Sequence, residues 1–478
     1  MVTSQEEIEL SEIKVETPTR IPKPTVKKKL TLVPLIFLIF FEVSGGPFGE
    51  ENSVKAAGPL FALLGFVIFP FIWSTPEALI TAELSTAYPG NGGYVIWASE
   101  AFGPFWGSMM GSLKFLSGSI NNAAYPSMMT QYLTGIIPAR FNTLAICGIT
   151  VLLSLVNYLG LAIVGWFAVA LAVVALMPFI IMFIIAIPKI KWSNLWSLGK
   201  NGTKIRLNDW PTYFNTLFWN LNFWDNASTL AGEVENPQKN FPKALFSAGI
   251  ITCLGYLIPL IAIIGALPLD QDAWDVAYLA TAGGTIGGPW LMYWIKIGSV
   301  LSSIGLFEAQ LSSSSFQTEG MANLGFIPAL FARRAKWFNT PWAGILLSSL
   351  ISFGLSFLDF NNIIAAANIL YGLGMLLEFS AFIRLRIKYP DLPRPYKVPG
   401  GIPFLCFMCL VPAGFVAYVI SMMVISKLVV FFITAGLTVF AVCNYFAMNL
   451  FKSKGWIQFI AQCNDKQAVE KEASEEQL

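Results

Sequence analysis

Apolar residues run along this chain in stretches of about 20, the length a helix needs to cross a bilayer core. They fall at 30–57, 60–84, 104–133, 141–158, 163–187, 212–230, 244–267, 291–313, 341–358, 363–382, 402–424 and 428–450. This pattern predicts an all-α membrane protein with about twelve transmembrane helices, embedded in the lipid bilayer, and excludes a β-barrel. Two of the runs cannot be continuous helices. In the first, Val43-Ser44-Gly45-Gly46-Pro47-Phe48-Gly49 combines three glycines with a proline. Glycine loses most entropy on becoming helical, and proline removes a backbone donor and crowds the preceding turn. In the sixth, Asn220-Leu221-Asn222-Phe223-Trp224-Asp225-Asn226 sets side chains that compete for backbone hydrogen bonds, one of them a carboxylate, at mid-run. Unwound backbone persists at that depth only where protein, water or ligand satisfies it.

The breaks lie five runs apart. That is the spacing of an inverted repeat, in which helices one to five and six to ten share a fold but enter the membrane from opposite sides. Gly49-Glu50-Glu51-Asn52 and Gly232-Glu233-Val234-Glu235-Asn236 are read as an echo of that repeat. The expected organisation is a tail at 1–29, a transporter core at 30–451 and a tail at 452–478. Within the core, repeats at 30–187 and 212–383 are followed by two extra helices at 402–450. Paired broken helices point to a transporter's binding site.

Composition narrows this picture. The 478 residues are 55% hydrophobic and 12% charged, with no histidine. Residues 1–29 are polar, place Lys27, Lys28 and Lys29 against the first run and lack a small-residue cleavage site, so they read as a cytosolic tail. The charged stretch 452–478 reads as a second disordered cytosolic tail. With both termini inside, Lys239 and Lys243, then Arg333, Arg334 and Lys336, then Arg384, Arg386, Lys388, Arg394 and Lys397 all lie on the inner side, as the positive-inside bias requires. The outer loop with Lys189, Lys191, Lys200, Lys204 and Arg206 runs against that bias, and its Asn201-Gly202-Thr203 sequon suits an outside location. The six cysteines lie mostly inside apolar runs and read as packing. Without histidine, imidazole cannot carry a coupling proton, the usual zinc sites or a nucleophilic triad. No nucleotide loop, metal cluster or nucleophile motif is found. No catalytic residue, metal or cofactor is therefore assigned, and neither an enzyme nor a nucleic-acid partner is expected. A channel would show rings of charge or a filter loop, and none is evident.

Three stretches, taken as an ordered set, resemble the amino acid–polyamine–organocation superfamily. They are Ala82-Glu83-Leu84-Ser85-Thr86-Ala87-Tyr88-Pro89-Gly90-Asn91-Gly92-Gly93-Tyr94, then Gly232-Glu233-Val234-Glu235-Asn236-Pro237-Gln238-Lys239-Asn240-Phe241-Pro242-Lys243-Ala244, then Pro341-Trp342-Ala343. The resemblance covers essentially everything between the tails and implies the five-plus-five inverted repeat with two extra helices. At the first break Val43 replaces the first residue of the superfamily's Gly-Ser-Gly pattern, Ser44 and Gly45 are kept, and Gly46-Pro47-Phe48-Gly49-Glu50-Glu51 follows. That run is similar to the plant polyamine-uptake branch, often grouped with L-type amino acid transporters. The branch implies import of polyamines (putrescine, spermidine, spermine) in symport with protons by alternating access. Plasma membrane is the expected address.

An amino acid in this fold sets its carboxylate on free N–H groups at the first break, whereas a polyamine needs anions and aromatic faces. The apolar runs supply Glu42, Glu77, Glu83, Asp225, Glu308 and Glu378, each costing roughly 2.5–3.5 kcal/mol on insertion scales. Asp225, six residues after Trp219, matches the superfamily's spacing of an aromatic gate and a substrate-reading residue. The expected substrate-binding set is Asp225, Trp219, Glu42, Glu77, Ser44, Gly45, Asn222, Phe223, Tyr125 and Tyr371. Glu83, in the Ala-Glu-Leu motif, is expected to bond structurally, and Lys114 and Lys296 are candidates to pair with Glu42 or Glu77. The proton is assigned to one of Glu42, Glu77 or Asp225, and sodium coupling through serines 312–315 stays open. The alternative reading is proton-coupled or exchange transport of neutral or cationic amino acids, with the substrate carboxylate on the amides of Ser44 and Gly45.

Overall fold

The computed structural model describes residues 30–133, 137–199, 210–268, 270–358, 360–426 and 428–460. The tail at 1–29, the sequon at Asn201, the outer-loop residues Lys200, Lys204 and Arg206, Cys463 and residues 461–478 lie outside the described residues. Among the described residues nearly everything is helical. A strand-like contact joins Leu30 to Val234 in an isolated parallel bridge.

Among the described residues, seven helices are long and apolar enough to cross a membrane: Pro59–Ala87, Leu161–Lys189, Pro237–Ala266, Pro289–Asn323, Asn362–Lys388, Ile402–Ile425 and Leu428–Lys454. The remaining runs are split or short. The first divides into Leu32–Val43 and Glu51–Ala57, the third into Pro104–Asn122 and Ala124–Tyr132, and the sixth into Trp210–Leu221 and a 3-10 stretch Trp224–Glu233. The fourth and ninth are the short helices Asn142–Tyr158 and Trp342–Leu355. In the second span Pro70 offers no N–H to the ladder, and a π-turn over Pro70–Ser74 absorbs the mismatch.

Two short helices went unread in the sequence, Tyr94–Phe102 and Tyr278–Gly287. Each ends in a Gly-Pro joint, Gly103-Pro104 or Gly288-Pro289, where proline takes the first helical position of a long span, the third or the eighth. This module recurs five spans apart, as a five-plus-five repeat requires. The motif pair at Gly49 and Gly232 does not. Gly49 stands at the first break, whereas Gly232 closes the far end of the sixth span's 3-10 stretch, so that likeness is not a structural equivalence. The eighth span also runs to Asn323, well past 313, because its polar continuation Gln317, Thr318 and Glu319 is buried against neighbours. Residues 452–460, assigned to a tail from the sequence, are folded: the last helix reaches Lys454, Phe459 is buried, and the Gln458 carbonyl accepts from the Ala329 amide at 2.9 Å.

The first span packs against the fifth, seventh and eighth, and the 3-10 half of the sixth packs against the first, second and eighth. Both broken spans therefore lie at the centre of the bundle. The eleventh and twelfth spans sit outside, against the tenth and the third, and expose Phe407, Leu410, Val429 and Phe432 as lipid-facing residues do.

Candidate substrate site

The sixth span stops at Leu221, and Asn222 and Phe223 are non-helical. Phe223 takes φ 71°, a left-handed geometry that a bulky residue holds only when its surroundings enforce it. Its amide donates to the Tyr371 hydroxyl at 2.9 Å, and the two rings lie 4.4 Å apart. The Leu221 carbonyl accepts from Ser74 Oγ at 3.0 Å and from Trp224 Nε1 at 2.9 Å, and the Asn220 carbonyl accepts from the Tyr256 hydroxyl at 2.9 Å. Side chains of the second, sixth, seventh and tenth spans thus satisfy the backbone that the break frees in hydrocarbon. Asn222 donates its side-chain amide to Asn368 at 3.2 Å.

An acidic cluster stands on this break. Asp225 accepts from Lys114 Nζ at 2.6 Å and from the Tyr371 hydroxyl at 2.7 Å. Tyr371 also hydrogen-bonds Glu77, and the Asp225 amide donates to Glu77 at 3.3 Å. Tyr371 has one hydroxyl hydrogen, so it serves Glu77 and Asp225 by turns. Lys114 Nζ lies 3.5 Å from the Tyr371 ring centroid, 5.4 Å from that of Tyr94 and 4.0 Å from Glu378. Asp225, Glu77, Glu378, Tyr371 and Lys114 are all buried. Sequence reasoning offered Lys114 as a partner for Glu42 or Glu77, but the packing of the third span against the tenth gives it to Asp225. Lys296 forms no ion pair with Glu42 or Glu77 among the described residues.

The first break is built differently. Ser44 and Gly45 both donate their amides to the Phe40 carbonyl, at 2.8 and 3.0 Å, and Gly46 donates to Ser44 Oγ at 3.2 Å. The Gly49 amide donates to Glu51 Oε2 at 2.8 Å, so a carboxylate of the chain itself sits on this break. Glu51 also accepts from the Tyr132 hydroxyl at 2.8 Å and the Ala277 amide at 3.2 Å. Glu42 accepts from Asn226 at 3.1 Å, which ties the first break to the sixth, and the Ser313 hydroxyl also lies within its reach. Neither oxygen of Glu50 has a hydrogen-bond partner among the described residues. Glu42, Glu50 and Glu51 are at most 1% exposed, and among the described residues no lysine or arginine pairs with them.

Trp219 lies over the first break. A Cβ on Gly49, whose φ is 98°, would come 2.5 Å from the Trp219 ring, so the close approach of ring and break needs glycine there. Trp219 Nε1 donates to Asn121 Oδ1 at 2.8 Å, and Asn121 in turn donates to Gln310 and to the Tyr125 hydroxyl, both at 2.8 Å. Beyond Trp219, Lys55 pairs with Asp275 and Gln271 donates to the Lys55 carbonyl at 3.1 Å. At the opposite end the Leu30 amide donates to the Glu233 carbonyl at 3.1 Å, and the Glu235 amide to the Leu30 carbonyl at 2.8 Å. Arg334 bridges Glu233 and Glu319 at 2.5 and 2.6 Å, and Asn91 accepts from the Gly232 amide at 2.9 Å. Burial opposes the Arg334 charge, but these two carboxylates outweigh it and raise the guanidinium pKa. Both ends are thereby closed over the acids.

Other candidates fall outside this centre. Glu83 accepts from Arg386 at 2.5 Å and the Val398 amide at 2.8 Å, with Arg394 at 3.0 Å, and fastens the second span to the loop before the eleventh. Glu308 accepts from Asn157 at 2.9 Å, and Ser312, Ser313 and Ser315 donate to carbonyls of their own helix. Sequence reasoning missed Glu50 and Glu51 as site residues. Their signal was their position directly after a glycine-rich break, where no buried carboxylate is without a reason.

Residues 30–459 match the amino acid permease family. The chain is similar to polyamine transporter RMV1 of Arabidopsis thaliana, 46% identical over 92% of this chain and 90% of that protein. It is similar too to polyamine transporter PUT1 of Oryza sativa subsp. japonica, 46% identical over 92% of this chain and 82% of that protein.

Proposed function

The chain belongs to the amino acid permease family, and we propose that it is a secondary transporter importing polyamines of the putrescine, spermidine and spermine class in symport with protons. In this reading it works in the plasma membrane with both termini in the cytosol. The observation that carries the proposal is the charge imbalance at the two breaks. Six buried carboxylates, Glu42, Glu50, Glu51, Glu77, Asp225 and Glu378, stand around the two breaks, and among the described residues Lys114, paired with Asp225 and 4.0 Å from Glu378, is the one lysine buried with them. A polyamine supplies ammonium groups spaced along methylenes and matches that deficit. An amino acid would need free donors at the first break, where the amides of Ser44, Gly45, Gly46 and Gly49 are already bonded within the chain. The similarity to RMV1 and PUT1 points the same way.

Under this proposal Asp225 seats one ammonium against the Tyr371 ring, and Glu42 and Glu50 remain for the others. Glu77 keeps one oxygen without a hydrogen-bond partner among the described residues, which leaves room for the coupled proton. Glu77 reaches Asp225 through the Tyr371 hydroxyl, so a proton there senses what binds at Asp225. Release of the Trp219 cover and of the Arg334 bridge in alternation exposes the site to one side and then the other. Each positive charge carried inward gains about 2.3 kcal/mol per 100 mV of inside-negative potential.

Purified protein in liposomes, given an inside-negative potential and an acidic exterior, is expected to accumulate labelled spermidine saturably, with excess leucine having no effect. Dissipating the pH gradient at fixed potential should reduce that accumulation. Saturable leucine uptake that spermidine does not inhibit would overturn the polyamine reading. Uptake indifferent to the pH gradient would remove proton coupling from it.

A further inference from the structure

We propose that Lys114 is a tethered occupant of the amine seat: in the empty protein its side chain holds the place of a substrate ammonium at Asp225, and it yields that place by turning to Glu378. The inference rests on the reading of Asp225 as the amine seat.

The chemistry of the side chain makes it a close stand-in. Lysine ends in a primary ammonium on a flexible four-carbon stem, the same aminobutyl unit that forms putrescine and one arm of spermidine. Its contacts are the ones such an arm would need: a carboxylate oxygen at 2.6 Å, an aromatic face 3.5 Å from the charge and the Met375 sulfur at 2.9 Å. The stem runs across Gly374, where a Cβ would come 2.7 Å from Lys114 Cε, 3.1 Å from Cδ and 3.2 Å from Cγ. The tenth span is bare at that point and forms a track for an alkyl chain.

A second station is already in place. Glu378 lies 4.0 Å from the ammonium, is fully buried, and shares a side-chain hydrogen bond with Asp225 that the arriving ammonium would replace. A turn of the lysine stem therefore exchanges one carboxylate for another without exposing the charge. With substrate present, Asp225, Glu77 and Glu378 would surround two ammonium groups, and neither cation has to leave the cluster. With substrate absent, Lys114 keeps Asp225 from standing as an unpaired buried charge and leaves small inorganic cations no seat. A tethered group competes at an effective concentration in the millimolar range. It lowers apparent substrate affinity by the fraction of time in which the seat is free.

The test compares spermidine binding and transport in wild type, Lys114→Met, Asp225→Asn and Glu378→Gln proteins, each first checked for a monodisperse profile in detergent. Lys114→Met is expected to bind spermidine about tenfold more tightly, because the internal competitor is gone. It should also run spermidine–spermidine exchange while net uptake slows, because the empty carrier must return with Asp225 bare. Unchanged or weaker binding by folded Lys114→Met, with binding lost in Asp225→Asn, overturns the inference and leaves the amine seat standing. Wild-type binding by Asp225→Asn overturns the seat itself. Should Lys114→Met fail to fold, Glu378→Gln decides, since it preserves the Lys114–Asp225 pair. It is expected to bind spermidine several-fold more weakly, with the lysine confined to Asp225, and unchanged binding overturns the inference.

Discussion

The two breaks gather the same kind of residue and leave it in opposite electrostatic states. At the sixth, Asp225, Glu77 and Glu378 surround an ammonium that the third span provides, and Tyr371 knits the group together. At the first, Glu42, Glu50 and Glu51 have no cationic partner among the described residues, and one of them turns back onto the break's own amide. One region carries its own counter-charge, and the other has none among the described residues. Burying a carboxylate without a counter-charge is costly, and the cost persists in a functional protein where a ligand removes it. Under the proposed function the difference separates two jobs: the sixth break would exchange one ammonium for another, and the first break would accept a charge it otherwise lacks.

That contrast can be broken by mutation, with effects of different sign as well as size. Asp225→Asn removes the nearer carboxylate of the Lys114 ammonium and leaves it Glu378, so the empty protein should be destabilised by about 1 kcal/mol. It should also cut spermidine uptake about a hundredfold, since truncating one partner of a buried charge pair costs roughly 2–5 kcal/mol in binding. Thermal unfolding in detergent and uptake at matched surface expression measure the two. Glu50→Gln removes a carboxyl with no hydrogen-bond partner among the described residues, so the empty protein should unfold at the same or a higher temperature. Spermidine affinity should nevertheless fall about tenfold, the loss of one charge-assisted hydrogen bond. Unfolding shifts of the same sign in these two variants would erase the distinction between the breaks. Ser44→Ala deletes the hydroxyl that holds the Gly46 amide and should cost about 1 kcal/mol of stability with no change in substrate preference. A shift of preference away from spermidine would instead place a substrate group on that amide and favour the amino acid alternative.

Much of this architecture is readable in one sequence, because the forces involved are local. Gly45, Gly46, Pro47 and Gly49 cannot sit in a continuous helix, and Asn222 and Asp225 in mid-run mark the second interruption. The breaks stand where those residues stand. What failed to show was whatever depends on a neighbour far along the chain. Lys114 is visible as a lysine in an apolar run, but its partner lies 111 residues away, and nothing near it in sequence selects Asp225 over Glu42 or Glu77. Tyr371 stands in the expected set as an aromatic wall, but nothing near it in sequence shows that it touches Phe223, Glu77, Asp225 and Lys114 together. The helices Tyr94–Phe102 and Tyr278–Gly287 are too short to announce themselves as apolar runs, although the Gly-Pro joints that follow them were there to be read. The apparent echo at Gly49 and Gly232 shows the converse, a likeness of letters that the fold does not place in equivalent positions.

The most direct test of the contrast between the two breaks is a structure determined with spermidine bound. The account predicts one ammonium of the ligand within hydrogen-bond reach of Asp225, Lys114 Nζ closer to Glu378 than to Asp225, and the remaining charge against Glu42 or Glu50. Spermidine held elsewhere, with Lys114 still on Asp225 and the acids of the first break without a ligand contact, would contradict it.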